Sequence, residues 1–296
     1  MKTKTAILIV IVVVAALDIS AAAQANAQPI ALSIFALDGK GNPATDVTLG
    51  DLIVEDGDRT ATITSISRDD RPLRLGIVID KSNSQRRSDV YKAAMQGLNP
   101  FLKQVMRPDS DQVFFETFDT TVNDPTDWLT AAQLGNAHLD VQPGGGSSLF
   151  DAVDLACKQR MTGQSARRRV LLILTDGGDN QSRVNLDTAI ASAQQTGTVV
   201  IALSTREQSN VYQRQDTAGV LKRFAEGTGG FDFDDIGAKQ LPKVFAQIAQ
   251  LLDAMLQVTF VSETSGASRE PHRIQVKPSS RKKLRIVAAK RYFPSS

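Results

Sequence analysis

The chain has 296 residues, of which 42% are hydrophobic and 22% are charged, and its formal net charge at pH 7 is +2. This composition is ordinary for a globular protein and excludes a chain that is disordered throughout. The near-neutral charge gives no support for binding to nucleic acid or to an anionic membrane surface.

The N-terminal residues have the features of a secretory signal peptide, which we assign to residues 1–27. Lys2 and Lys4 give a positive start, an apolar run follows over residues 6–17, and a small-x-small cleavage motif ends at Ala27. The alternative is a retained membrane anchor, but the apolar run is about 12 residues, short of the ~20 that span a bilayer. We therefore predict an exported protein, periplasmic or secreted, with no stable membrane span after cleavage.

The segment that follows predicts a small β unit and a linker, which together occupy residues 28–71. Three short runs combine β-branched or apolar residues with turn signals at their ends. They span residues 31–37, 52–54 and 60–67.

From residue 73 onwards, apolar strands alternate with helical patterns. The apolar runs lie at residues 73–79, 112–118, 170–175, 199–204 and 231–233. Helical periodicity lies at residues 89–105, 148–158, 186–195, 216–226 and 241–252. Uninterrupted apolar strands joined through helices predict an α/β fold, with a doubly wound, mostly parallel sheet covered on both faces. We assign residues 72–255 to this domain.

The last segment, residues 256–296, returns to β character. Residues 272–277 and 284–288 alternate apolar and polar side chains, and a polar connection lies between them. We predict that these two runs pair with each other as a β hairpin attached to the main domain.

Three polar segments stand at the ends of the predicted elements of the α/β domain. Asp80, Ser82 and Ser84 follow the first apolar strand. Ser147 follows three glycines in front of a helix, and Asp176 follows another apolar strand. Ligands of parallel sheets bind at the carboxyl ends of the strands, so Asp80 and Asp176 are expected on one rim.

The oxygen atoms of these side chains suit a hard divalent cation. Carboxylates and hydroxyls favour Mg²⁺, Mn²⁺ or Ca²⁺ over Zn²⁺ or copper. Two carboxylates at the end of one sheet would also repel each other without a cation. The alternative is that the acidic residues cap helices and that the serines lie in turns.

At this point the sequence resembles a known family. The Asp-x-Ser-x-Ser segment at residues 80–84, the glycine loop ending at Ser147 and the Thr-Asp-Gly segment around Asp176 resemble the metal-ion-dependent adhesion site of von Willebrand factor type A (VWA) domains. The resemblance covers about residues 72–255 and keeps the family's order. The flanking segments resemble a secreted bacterial VWA-related subfamily first catalogued in Acidobacteria.

The resemblance implies a role for each residue. Ser82 and Ser84 would bind the metal directly, Ser147 would do so in some states, and Asp80 and Asp176 would act through water. One coordination position would remain for an acidic side chain of a protein partner. Ser147 stands where the family usually has Thr and keeps the hydroxyl group.

The leading hypothesis is therefore a binding module: cation-dependent protein–protein binding in adhesion or in assembly of an envelope complex. In the alternative, a scaffold protein, the metal would only stabilise the rim. A metal-assisted hydrolase is a weaker third hypothesis, because no residue stands out as a general base. The chain also lacks a Gly-x-Ser-x-Gly segment and a P-loop, and we predict that it is not an enzyme.

Other residues carry less information about function. Cys157 is the single cysteine, which excludes an intramolecular disulfide, and we interpret it as a small buried hydrophobic residue. His138 and His272 have no neighbours at metal-binding spacing. The basic runs at residues 167–169 and 281–283 are interpreted as solubilising surface.

Overall fold

The computed structural model describes residues 29–136, 141–164, 166–207, 214–262, 270–279 and 283–294. The signal peptide predicted over residues 1–27 lies outside the described residues, and so does His138. Among the described residues, no helix combines the length and the apolar character that a membrane crossing requires.

The elements are numbered along the described chain. The strands are β1 (Ile30–Leu37), β2 (Leu52–Asp56), β3 (Arg59–Arg68), β4 (Leu73–Asp80), β5 (Gln112–Phe118), β6 (Arg168–Thr175), β7 (Val199–Ser204), β8 (Phe231–Phe233), β9 (Leu256–Val261), β10 (His272–Pro278), β11 (Arg285–Ala288) and β12 (Arg291–Tyr292). The α-helices are α1 (Asp89–Val105), α2 (Leu149–Ala156), α3 (Leu186–Gln195), α4 (Arg214–Thr228) and α5 (Leu241–Asp253). A π-helical turn, Cys157–Met161, continues α2.

A five-stranded parallel sheet in the order β5-β4-β6-β7-β8 forms the centre of the α/β unit. Every residue of β4 and of β7 is buried, as continuous apolar runs predict for strands covered on both faces. Helices α1 and α5 cover one face, and α2, α3 and α4 cover the other. The predicted fold class, a doubly wound α/β sheet, is confirmed.

The remaining strands form one antiparallel sheet in the order β11-β1-β9-β3-β2-β10-β12. Its two outermost strands, β11 and β12, are consecutive in the chain and are separated only by Ala289 and Lys290. The sheet therefore curls so that its two edges approach each other, and the Lys290 carbonyl between them accepts a hydrogen bond from the Ile274 amide of β10 at 3.0 Å. We call this unit the barrel. It encloses its own apolar core, which includes Val258 and Phe260.

The predicted hairpin of residues 272–277 and 284–288 is wrong. Strand β10 pairs with β2 and β12, whereas β11 pairs with β1. The C-terminal strands thus complete a sheet begun by the N-terminal strands. Alternation of polar and apolar residues indicates a strand with one buried face, but it does not identify the strand beside it.

Candidate metal centre

Three loops meet at the carboxyl end of the parallel sheet. The first follows β4, the second precedes α2, and the third follows β6. Strands β4 and β6 are neighbours, with Ile79 opposite Leu174, so their ends lie side by side. Two backbone hydrogen bonds join the first loop to the second, from Asn83 N to Gly145 O at 3.1 Å and from Gly144 N to Lys81 O at 2.7 Å.

The first loop brings the side chains of Asp80, Ser82 and Ser84 together. The Asp80 carboxylate is fully buried: one oxygen accepts the Ser82 amide at 2.8 Å, and the other accepts the Thr175 hydroxyl at 2.6 Å. The Ser82 and Ser84 hydroxyl oxygens lie 2.9 Å apart. Ser82 is buried and Ser84 is exposed, so the pair of hydroxyls opens to solvent on the Ser84 side.

The third loop holds Asp176 at the same rim. Asp176 is 6% exposed, and its Oδ1 accepts the Gly178 amide at 3.0 Å. Gly177 has a φ of +86°, and a Cβ there would lie 2.7 Å from the Thr217 carbonyl oxygen. Only glycine allows both that backbone conformation and that close approach, so glycine is required at position 177 of this turn.

The second loop fixes Ser147 against the third. The Ser147 hydroxyl donates to the Gly178 carbonyl at 2.7 Å, and its amide donates to Asn180 Oδ1 at 3.0 Å. Because this hydroxyl donates its hydrogen to a carbonyl, the lone pairs of its oxygen point away from that carbonyl and can coordinate a cation. The structure thus gathers the five predicted ligands into three interlinked loops.

The electrostatics of the rim favour a positive charge. Burial, together with the neighbouring Asp176 carboxylate, raises the pKa of Asp80 to about 7. The adjacent Lys81 ammonium does not offset this, because it lies 3.5 Å from Asp119 Oδ2. A divalent cation at the rim would stabilise both ionised carboxylates.

The donor set fits such a cation. Among the described residues no group of three or more His, Cys, Asp or Glu side chains could form a metal site, so this centre depends on hydroxyls as much as on carboxylates. Ser82, Ser84 and Ser147 offer neutral oxygens suited to Mg²⁺, Mn²⁺ or Ca²⁺. Both Asp80 oxygens already accept protein hydrogen bonds, which suits a ligand that acts through water.

Two threonines outside the predicted ligand set also shape the rim. Thr175 holds Asp80, and Thr120 holds the glycine loop: its hydroxyl accepts the Gly146 amide at 2.9 Å and its carbonyl accepts the Ser148 hydroxyl at 2.7 Å. Thr120 lies just beyond β5, so the rule that ligands gather at the carboxyl ends of parallel strands could have found it.

The other residues singled out from the sequence lie away from the rim. Cys157 is fully buried at the start of the π-helical turn that continues α2. Burial raises the pKa of its thiol to about 12, as expected for an unreactive packing residue. His272 belongs to the barrel, where its Nδ1 lies 3.5 Å from Asp56 Oδ1. Neither residue can contribute to the metal centre.

A family model described as VWA domain containing CoxE-like protein matches residues 48–225, more than half of the chain. The solved structure of a von Willebrand factor type A protein from Catenulispora acidiphila is 13% identical, with 90% of this chain and 74% of that chain covered and a TM-score of 0.51. That likeness shows a shared fold. No curated protein matches the chain.

Two further solved structures are similar to the chain. An aerotolerance-related membrane protein from Bacteroides fragilis is 17% identical, with 60% of this chain and 98% of that chain covered and a TM-score of 0.42. Proximal thread matrix protein 1 from the mussel byssus was solved with zinc in its metal-ion-dependent adhesion site (MIDAS) motif. It is 18% identical, with 65% of this chain and 48% of that chain covered and a TM-score of 0.48.

Proposed function

The chain belongs to the VWA-domain family, and on that premise we propose that it binds a protein partner through a divalent cation held at the rim of its parallel sheet. One observation carries the proposal. The hydroxyl oxygens of Ser82 and Ser84 lie 2.9 Å apart beside two carboxylates, one of which, Asp80, has a pKa raised to about 7 by burial and by Asp176.

The residues around the rim would contribute to ion binding in two different ways. Ser82, Ser84 and Ser147 provide neutral oxygens, and Asp80 and Asp176 provide negative charge from the outer side. When bound, an ion held mainly by neutral hydroxyls keeps a strong attraction for an anionic oxygen from outside. Ser84 is exposed, so we place the partner's Asp or Glu side chain on this side of the rim.

The proposal is for binding rather than catalysis. Asp80 is the rim carboxyl whose pKa is raised towards neutrality, as a general base requires, but its two oxygens accept hydrogen bonds from Ser82 and Thr175. It is therefore placed to support the loop rather than to take a proton from a substrate.

We also propose that the protein acts outside the cytoplasm, in the periplasm or as a secreted protein. The support is the order of the first residues: positive start, apolar run and small-x-small motif ending at Ala27. Mass spectrometry of the mature protein from its native host should find an N-terminus at Gln28. An N-terminus at Met1 in a protein recovered with the cytoplasmic fraction would contradict export.

Metal binding is the first step to test, by calorimetric titration of the purified protein with MgCl₂, MnCl₂ and CaCl₂. We expect saturable binding of one ion by the wild type and a loss of affinity of about tenfold or more in Ser84→Ala, by analogy with other ligand-shell substitutions. Asp109→Ala removes an exposed carboxylate far from the rim and should bind like the wild type. No heat with any of the three ions would overturn the proposal.

Partner binding is the second step. Tagged wild-type protein, Ser84→Ala and Asp109→Ala are incubated with an envelope extract in Mg²⁺ or in chelator. We expect a partner retained by the wild type and by Asp109→Ala in Mg²⁺ only. If calorimetry shows an ion but recovery is the same in chelator, the ion only stabilises the rim, and the scaffold alternative is correct.

A further inference from the structure

Four arginines line one small cavity at the amino end of the parallel sheet, where the sheet meets the barrel. The cavity has a volume of about 50 Å³, and Arg71, Arg167, Arg169 and Arg291 contribute to its wall. No described Asp or Glu lines it. We call this cavity the arginine pocket. It lies at the opposite end of β6 from Asp176, roughly 23 Å away at the usual rise per strand residue.

Arg169 is the residue whose position demands an explanation. Its Nε is buried and has no hydrogen-bond partner in the described part of the chain. Burial, together with the nearby Arg71, lowers the pKa of Arg169 to about 10. A buried donor that is left unpaired destabilises the fold, and neighbouring positive charges add to that cost.

The backbone leaves room for this guanidinium group. Gly197 follows α3 with a φ of +61°, and a Cβ there would lie 2.7 Å from Nη2 of Arg169. The carbonyls at the end of α3 could attract Arg169, but those of Ala193 and Gln194 accept the amides of Thr198 and Gly197. No carbonyl of the described helix end accepts a hydrogen bond from the Arg169 Nε.

A carboxylate of the described chain, Asp69, offsets part of this positive charge. Asp69 binds Arg71 through two hydrogen bonds, from Nε at 2.8 Å and from Nη2 at 2.6 Å. Neither Arg167 nor Arg291 has a salt bridge within the described residues. The pocket thus has an excess of positive charge and of N–H donors, and its described lining offers neutral oxygens but no carboxylate.

We propose that the arginine pocket binds a phosphate group. Guanidinium groups present paired N–H donors that match the oxygens of a phosphate, and a bound anion would both pair the buried donor and reduce the repulsion among the arginines. The cavity volume is suited to a single group of this size rather than to a large organic ligand.

The arginines come from different parts of the fold. Arg167 and Arg169 lie at the start of β6, Arg71 lies between β3 and β4, and Arg291 lies in β12 of the barrel. A bound phosphate would therefore connect the barrel to the parallel sheet, and it should raise the melting temperature of the whole chain.

The experiment uses the mature chain and two sources of phosphate. The first arm is calorimetric titration with inorganic phosphate, compared with chloride at equal ionic strength. The second arm is co-sedimentation with phosphatidylglycerol vesicles, compared with phosphatidylcholine vesicles. The variants are Arg169→Gln and Arg291→Gln, with Arg59→Gln, an exposed arginine at the start of β3, as the matched control. Circular dichroism first establishes that each variant is folded.

We expect saturable phosphate binding, weakened about tenfold or more in Arg169→Gln and less in Arg291→Gln, and unchanged in Arg59→Gln. Binding to vesicles alone, with the same response to the variants, would identify a lipid phosphate as the source. The absence of binding in both arms would overturn the proposal, as would binding that Arg169→Gln leaves unchanged. Ser84→Ala should not alter either arm, so failure here and failure of the metal centre can be distinguished.

Discussion

The two sheets of this protein are assembled in opposite ways. The parallel sheet is built from one continuous stretch of chain, and its central strands are buried on both faces. The barrel is built from both ends of the described chain, and the burial of β9 alternates residue by residue. The comparison teaches that strand ends buried in a packed α/β unit can bring the candidate metal ligands together, whereas the barrel depends on pairings between distant segments.

The largest expected effect is on the unfolding free energy, from a substitution in the core of the barrel. Phe260→Ala in the barrel removes a fully buried ring and should cost about 3–5 kcal/mol of unfolding free energy. Urea unfolding followed by circular dichroism would measure it. Ile53→Ala, at a side chain that is 39% exposed, should change stability by less than about 0.5 kcal/mol.

The same variant shows how separate the two units are. If the barrel is an independent unit, folded Phe260→Ala should bind Mg²⁺ at the rim like the wild type. A large loss of metal affinity in this variant would show that the barrel is needed to hold the metal centre, and the contrast between the two sheets would then be too simple.

Closure of the barrel depends on a buried tyrosine. The Tyr292 hydroxyl donates to the Asp56 carboxylate at 2.8 Å, and Asp56 is 1% exposed. Tyr292→Phe should cost about 1.5–3 kcal/mol, because the hydrogen bond is to a charged group. In the α/β unit the Tyr91 hydroxyl donates to a neutral carbonyl, that of Val141, so Tyr91→Phe should cost less in thermal unfolding. Equal losses would contradict this reasoning.

The α/β unit has its own weak point at Glu116 in β5. This side chain is buried, and neither carboxylate oxygen has a hydrogen-bond partner among the described residues. Burial raises the pKa of Glu116 well above its ordinary value. The folded state thus favours the neutral form of Glu116. The folding stability that depends on this neutral form is fully present at low pH, and it is lost as the pH rises towards the pKa of the folded state.

The unfolding free energy of the wild type should fall between acidic and neutral pH, and Glu116→Gln should reduce this fall. At pH 8 the variant should be more stable than the wild type by about 1–3 kcal/mol of unfolding free energy. Urea unfolding at several pH values would measure it. Glu226→Gln is the matched control, since Lys290 lowers the pKa of this exposed carboxyl. Its small contribution has the opposite sign, present above the unfolded pKa and lost as the pH falls. A wild-type profile that stays flat would contradict the assignment.

The smallest expected effect on stability is at the metal centre. Ser84→Ala removes an exposed hydroxyl and should shift the unfolding free energy by less than about 0.5 kcal/mol in chelator. In saturating Mg²⁺ the wild type should gain stability and the variant should gain less. Comparing melting temperatures with and without Mg²⁺ checks this; an equal gain in both proteins would remove Ser84 from the ligand set.

Much of the α/β unit could be predicted because its signals are local. The run that becomes β4 is apolar throughout, which is characteristic of a strand covered on both faces, and β4 extends only one residue beyond its predicted end. Asp80, Ser82 and Ser84 follow within five residues, so their proximity needs no long-range information. Thr175 and Thr120 also lie at strand ends, but their hydrogen-bond partners could not be predicted, because these depend on how neighbouring loops meet.

The sequence by itself determined most of the strands and helices, but not β9 or β12, and it determined which oxygen-bearing side chains lie at the ends of the parallel strands. Only the tertiary structure decided that β10 lies beside β2 rather than β11, and that Arg169 lies near Arg71 and Arg291. The physical reason is that hydrophobic periodicity records how much of each element is buried. It contains no information about which distant element does the burying, since many partners can cover the same apolar face.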